Sequence, residues 1–339
     1  MNSKLVEEIA NAVLYEGYML YPYRPTSVKN RQRWNFGVVY PRNYSELQKG
    51  TDPWNTQTEC LVAGSALTTV NLKVRFLQGI SRETETEVLP SSSVTAAPQP
   101  QSWQEGVERE VLVQSVPIST LLAGTFSRTF SLPSSRDTEE VRDTDGRIVK
   151  VIVRDQQSIS GRVTLSATSL TENLYKIILT VLNDTVLADA DNATRDRAVM
   201  RSLLSAHSIL SLEGGEFISL LETPADFVEF AAQCKNTGTW PVLVGEEGSH
   251  DAMLSSPIIL YDYPQIAPES AGDLFDGTEI DEILALRILT LTEGEKAEMR
   301  QGDERARQVL ERTEALPEEQ FLKLHGVLRG MRPSQEGEQ

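Results

Sequence analysis

The sequence predicts an α+β protein with a β-rich, sandwich-like N-terminal region and a mixed hairpin-and-helix C-terminal region. Three observations carry that expectation. Between residues 58 and 183, short runs alternate apolar and polar side chains, the period-two pattern of strands with one buried and one wet face. Val70, Leu72, Val74 and Phe76, interleaved with Asn71, Lys73 and Arg75, give the plainest case. After about residue 190 the spacing shifts toward the three-and-four pattern of amphipathic helices. At 339 residues the chain calls for one large or two medium domains, and the shift divides 1–190 from 191–330, with a frayed polar tail at 331–339.

Composition narrows the classes. Hydrophobic residues at 40% and charged residues at 24% are ordinary for a folded globular protein. A net charge of −17 argues against a general nucleic-acid binder, which needs a cationic face to displace counterions from phosphates. Residues 1–10 carry Glu7 and Glu8 and no apolar run, so no export signal is read there, and no window reaches the length of a membrane span. Cys60 and Cys234 are far apart and are expected as reduced thiols, which points to the cytoplasm.

Taken in order, 5–14 has helical apolar spacing, and Gly17, Pro22 and Pro25 end it. An irregular extended segment follows, with a strand at 34–40 and a loop at 43–55. Strands are expected at 58–64 and 68–78. The Ser-, Thr-, Pro- and Gln-rich stretch 82–101 reads as a flexible insertion. Strands follow at 107–113, 125–132, 148–154, 159–167 and 174–182, with a charged loop at 134–146 ending in the turn pair Asp145-Gly146. A helix capped by Thr194 is expected over 194–206. Gly214-Gly215 reads as a hairpin turn between strands at 207–212 and 216–221. Thr223-Pro224-Ala225-Asp226 reads as a capping box opening a helix to Cys234. Short strands at 240–245 and 257–262 and helices at 278–291, 295–315 and 317–328 complete the chain.

Catalytic patterns are weak. The acidic run 273–282 offers Asp273, Asp276 and Glu279 as oxygen ligands for a hard cation, with His207 as a further ligand. Its spacing does not match a calcium loop, and acids in the first turn of a helix complement the helix dipole, which is the commoner reason for them. The three histidines form no short ligand pair, and no nucleophile elbow or phosphate loop is present. Cofactors are left undetermined, and the balance leans away from an enzyme.

The densest stretch is N-terminal. Arg24, Lys29, Arg31, Arg33 and Arg42 lie among Tyr15, Tyr18, Tyr21, Tyr23, Trp34, Phe36 and Tyr40. Arginine with aromatic residues is the composition of interfaces and stacking sites. These cations can pair internally with the acids at 273–282, dock an acidic partner, or hold a phosphate or carboxylate.

The stretch 13–24 with 29–37, together with 254–264, Ala267-Pro268-Glu269 and 273–282, resembles a little-characterised bacterial family. Its members resemble proteins encoded beside nickel–iron hydrogenase structural and maturation genes. The similarity spans nearly the whole chain outside 82–101. The resemblance implies an accessory or maturation role through protein–protein contact, with a hydrogenase subunit or maturation factor as partner. It implies that the two stretches, including Tyr261 and Tyr263, belong to one surface, and it assigns no catalytic residue.

Overall fold

A computed structural model describes residues 3–15, 34, 36–49, 51–86 and 101–265, and in addition 292, 293, 296, 300, 307, 310, 311, 314 and 315. Contacts divide the chain into two compact units. The first contains every described residue through Gln265. In the second, the helical residues Lys296 and Arg300 both pair with Glu314, at 3.3 and 2.9 Å, and Leu310 is buried. The helices expected at 278–291 and 317–328 lie outside the described residues, as does 87–100 of the expected insertion.

The first unit is mostly antiparallel β-sheet. Its elements in order are α1 (Ser3–Tyr15), α2 (Arg42–Leu47), β1 (Asn55–Thr86), β2 (Gln101–Pro117), α3 (Ile118–Ala123), β3 (Phe126–Leu132), β4 (Ser135–Arg142), β5 (Ile148–Gln156), β6 (Ile159–Ser169), β7 (Leu174–Asn183), α4 (Arg195–Val199), β8 (Leu204–Ile218), α5 (Val228–Ala231), β9 (Trp240–Leu243) and β10 (Ala252–Ser256).

The 32-residue β1 is the spine. It pairs with β7 over 55–63, with β8 over 61–77, with β2 over 69–84 and with β5 over 80–86. Where these registers overlap the partners must take opposite edges. So β7 and β2 succeed one another along one edge, and β8 and β5 along the other. The path β3-β6-β7-β1-β8-β10-β9 carries the rest. Because β8, β9 and β10 extend this sheet, it runs without a break across the expected division at 190.

The expected alternation in β1 holds on one side: Val70, Leu72, Val74 and Phe76 are fully or almost fully buried. They join residues of β2, β6, β7, β8 and α3 in the main core. Phe76 meets Phe130 of β3 with ring centroids 5.7 Å apart, a tilted aromatic pair. Gly161 of β6 lies under that ring.

Several expectations are corrected. The separate strands at 58–64 and 68–78 are one strand that bends at a register shift between Gly64 and Thr69. Gly214-Gly215 is no hairpin turn. It lies within β8, opposite that shift, and Thr68 Oγ1 donates to the Gly214 carbonyl at 2.7 Å. The charged 135–142 forms β4, because a mostly exposed edge strand needs no apolar face. Thr194 does cap a helix, accepting from Arg197 N, but α4 ends at Val199. Residues 203–206 instead join the ladder at Leu203 and β8. The capping box fails because the Thr223 hydroxyl donates to the Ser219 carbonyl, and only a short turn and α5 follow. Of the described residues in 34–40, only Val39 makes a bridge, an isolated one to Leu203, while α2 replaces part of the loop at 43–55 and β10 lies at 252–256 rather than 257–262.

A Cβ placed on Gly161 would lie 2.6 Å from the Leu182 carbonyl oxygen and overlap the Phe130 ring, whereas one on Gly124 meets nothing within 4 Å. Gly161→Ala should therefore lower stability by about 1–3 kcal/mol in urea unfolding, and Gly124→Ala should leave the midpoint nearly unchanged.

Candidate functional site

The sequence expects the second face of β1 to be wet, and the structure covers much of it. Arg75, Leu77, Gly79, Ser81 and Glu83 share that face by period two. Their neighbours across the ladder are Glu110, Glu108, Gly106 and Gln104 of β2. Three things lie on this strip: α1, Trp34 and Met200.

The helix α1 forms because Val6, Ile9, Ala10 and Val13 recur on one stripe. All four bury against Ile209, Val242, Val244, Ala252 and Leu254. Each large apolar side chain so buried contributes on the order of 1.5–3 kcal/mol. A bulge in β8 receives the end of the helix. Between the pairs Arg75–His207 and Leu77–Leu204 the register shifts, and Ser205 adopts φ 52°. The bulge turns Ser205 Oγ toward the carbonyl of Val13, 2.8 Å away. That carbonyl is one of the last four in the helix, which have no partner inside it.

Beneath the helix sits a charged cluster. The Arg75 side chain is 4% exposed, and its guanidinium pairs with Glu108 at 3.1 Å, Glu7 at 3.4 Å and Glu110 at 3.5 Å. Lys73 adds a second cation to Glu7. Tyr15 donates its hydroxyl to Glu108 Oε1 at 2.5 Å. His207, Arg75's partner across the ladder, is buried, with Nδ1 2.9 Å from the Ser205 carbonyl. Only an Nδ1–H can use that oxygen, so Nε2 carries the lone pair, and it has no hydrogen-bond partner among the described residues. Burial pushes the His207 pKa down to about 4, with the Arg75 charge acting the same way and the hydrogen bond to Ser205 opposing it.

Farther along the strip the directly paired Gly79 and Gly106 leave backbone without Cβ atoms. Trp34 lies over Gly106 and Met200 over Gly79, each within 3.0–3.3 Å of where a Cβ would stand. Trp34 is buried, with φ 65°, donates from Nε1 to Gln104 Oε1 at 3.2 Å, and accepts from Arg195 at its carbonyl oxygen at 3.0 Å. Arg195 also stands over the Tyr40 ring at 5.9 Å. Burial raises the Tyr40 pKa to about 12. Arg42 stacks on Trp54 at 4.5 Å and pairs with Glu46, so this cation is used internally.

Of the interface residues expected from sequence, the structure brings Tyr15 and Trp34 together on β2, within the span Gln104–Glu108. Tyr18, Tyr21, Tyr23, Arg24, Lys29, Arg31 and Arg33 lie outside the described residues. Asp273, Asp276 and Glu279 do too. Among the described residues, no group of three or more potential metal ligands occurs. Tyr261 is 88% exposed. Tyr263 has a structural place instead: its hydroxyl donates to the Ser249 carbonyl at 3.0 Å and its ring packs on the main core. Cys60 and Cys234 are free thiols, and burial raises the Cys234 pKa to about 11, which makes it a poor nucleophile. No described helix is long and apolar enough to cross a membrane. Sequence reading missed Arg75, Glu108 and the glycine pair. A glycine inside each of two strands was the available signal, because it marks close approach of another group.

No protein-family model matches the chain, and a search of curated proteins finds no match.

Two outcomes are expected. The unfolded chain takes up a proton at His207 near pH 6.5 and the folded chain only near 4, so this group's stability is present above 6.5 and is lost as pH falls toward 4. Urea unfolding from pH 7 to 4 should show His207→Gln losing less stability than the wild type, by up to about 1.4 kcal/mol per pH unit within that window. Ser205→Ala should cost about 1 kcal/mol and speed amide exchange in the last turn of α1 more than in β7.

Proposed function

We propose that the protein is a cytoplasmic accessory or assembly factor that acts by protein–protein contact, in the setting of nickel–iron hydrogenase biogenesis. One observation carries the contact reading: Tyr15 and Trp34 are fastened to β2 at Glu108 and Gln104. The intervening residues 16–33, which carry Tyr18, Tyr21, Tyr23, Arg24, Lys29, Arg31 and Arg33, therefore leave and return at one strand of a rigid sheet. Function-bearing segments held by a scaffold in this way are common in binding proteins. The cations and rings there suit a partner with an acidic surface.

Exposed Tyr261 and Ile259, which follow β10, add large apolar surface of the kind interfaces use. We read the sheet as sandwich-like, a reading supported by the contact of Phe76 of the spine strand with Phe130 of β3. The hydrogenase setting rests on the family resemblance alone.

Gentle affinity purification from the native host should recover a hydrogenase subunit or maturation factor. Tyr261→Ala and Arg31→Glu should each reduce that recovery several-fold while leaving the melting temperature unchanged for Tyr261→Ala. Recovery of neither class of protein, under conditions where the bait is intact, would count against the reading.

A further inference from the structure

Beyond the Gly79–Gly106 pair the covered strip opens into a concavity of about 330 Å³. We propose that it binds a small zwitterion of the α-amino-acid class, with the carboxylate on Arg197 and Arg201 and the ammonium on Glu83 and Asp155.

The walls supply both charges from different elements. Ser81 and Glu83 come from β1, and Asp155 comes from β5, paired directly across from Ser81. Arg197 lies in α4, and Arg201 follows one turn later. Arg201 lies past the end of that helix, and both arginines line the concavity.

Arg201 is fixed before any ligand arrives. Its guanidinium donates to Gln157 Oε1 at 2.9 Å and to Ser158 Oγ at 3.4 Å, while Gln157 Nε2 donates to Asp155 at 2.6 Å. Gln157 thus ties the cation of one wall to the anion of the other and sets their separation. Two of the charged groups remain unused. Neither the Arg197 guanidinium nor the Glu83 carboxylate has an ion-pair partner among the described residues, and both are exposed. A floor of Met200 with Ala188 offers an apolar contact for a short side chain.

Charge balance selects the ligand class. Two cations and two carboxylates line the same space, so a simple anion meets repulsion that offsets its attraction, and a simple amine meets the converse. A molecule carrying both charges a few ångströms apart satisfies both walls, and charge-assisted hydrogen bonds at each end fix its orientation. The volume lies at the small end of ligand sites, which suits an amino acid rather than a nucleotide.

Titration calorimetry and saturation-transfer NMR on the full chain test this with L-leucine, acetate, methylamine and inorganic phosphate. L-Leucine should bind at least about tenfold more tightly than acetate or methylamine, and Arg197→Gln or Glu83→Gln should each weaken it by about tenfold. Both substitutions are at exposed positions, so unchanged melting temperatures separate lost binding from lost folding. Absence of leucine binding, acetate or phosphate binding as tightly as leucine, or leucine binding untouched by both variants would overturn the proposal.

Discussion

The structure depends on one strand satisfying four partners. Every buried backbone N–H and C=O along β1 needs a hydrogen-bonding neighbour, and a strand of 32 residues outruns any single partner in this chain. The solution is a relay: β7 gives way to β2 on one edge and β8 gives way to β5 on the other. Each handover constrains register, because a slip of one residue would turn every side chain of β1 to the opposite face. The bend near Gly64 and Thr69 lies where β7 ends and β2 has yet to begin. There the glycines at 64, 214 and 215 and the Thr68 hydroxyl replace regular pairing.

From that constraint follows a two-faced spine. One face is apolar and closes the core through Phe76 and Phe130. The other carries Arg75, and its burial sets a costly problem, since an isolated buried charge loses several kcal/mol of hydration. Three glutamates answer it, and each is still 37–45% exposed. The carboxylates thus retain much of their own hydration while neutralising the guanidinium charge, and they accept hydrogen bonds from its two terminal nitrogens but not from Nε. Such an arrangement adds little net stability but fixes geometry: α1 through Glu7, β2 through Glu108 and Glu110. The bulge at Ser205 does the same for the far end of α1.

Much of the sheet was legible in the sequence, for a physical reason. Strands β6 and β7 alternate buried and part-buried residues along most of their length, and β3 and β5 are short apolar-containing runs bounded by turn residues, so local chemistry decides them. What failed was non-local. Gly214-Gly215 has ideal hairpin chemistry, but the residues on both sides of the pair are held by β1, Glu213 by Thr69 and Glu216 by Ala63, so the chain runs on as one strand. Residues 203–206 have helical spacing, but bridging to Val39 and entry into β8 outweigh a few tenths of a kcal/mol per residue of propensity. The candidate surface was legible only as composition. Tyr15 and Trp34 could be named as interface-like from their neighbours in sequence. Their convergence on Gln104 and Glu108 depends on pairings 70 and 93 residues away, which no local pattern encodes.

The glycine pair links the two ends of the covered strip. An ordinary side chain at either Gly79 or Gly106 would push into Met200 or Trp34. Trp34 holds the return point of the 16–33 segment, and Met200 forms the floor of the concavity bounded by Arg197 and Arg201. Both are seated by the absence of two Cβ atoms on directly paired residues. Packed side chains have few alternative arrangements, so Trp34 over Gly106 and Met200 over Gly79 are each held by a position that admits no larger residue without displacement. The residue that ends the 16–33 segment and a residue lining the concavity thus stand on one strip of backbone.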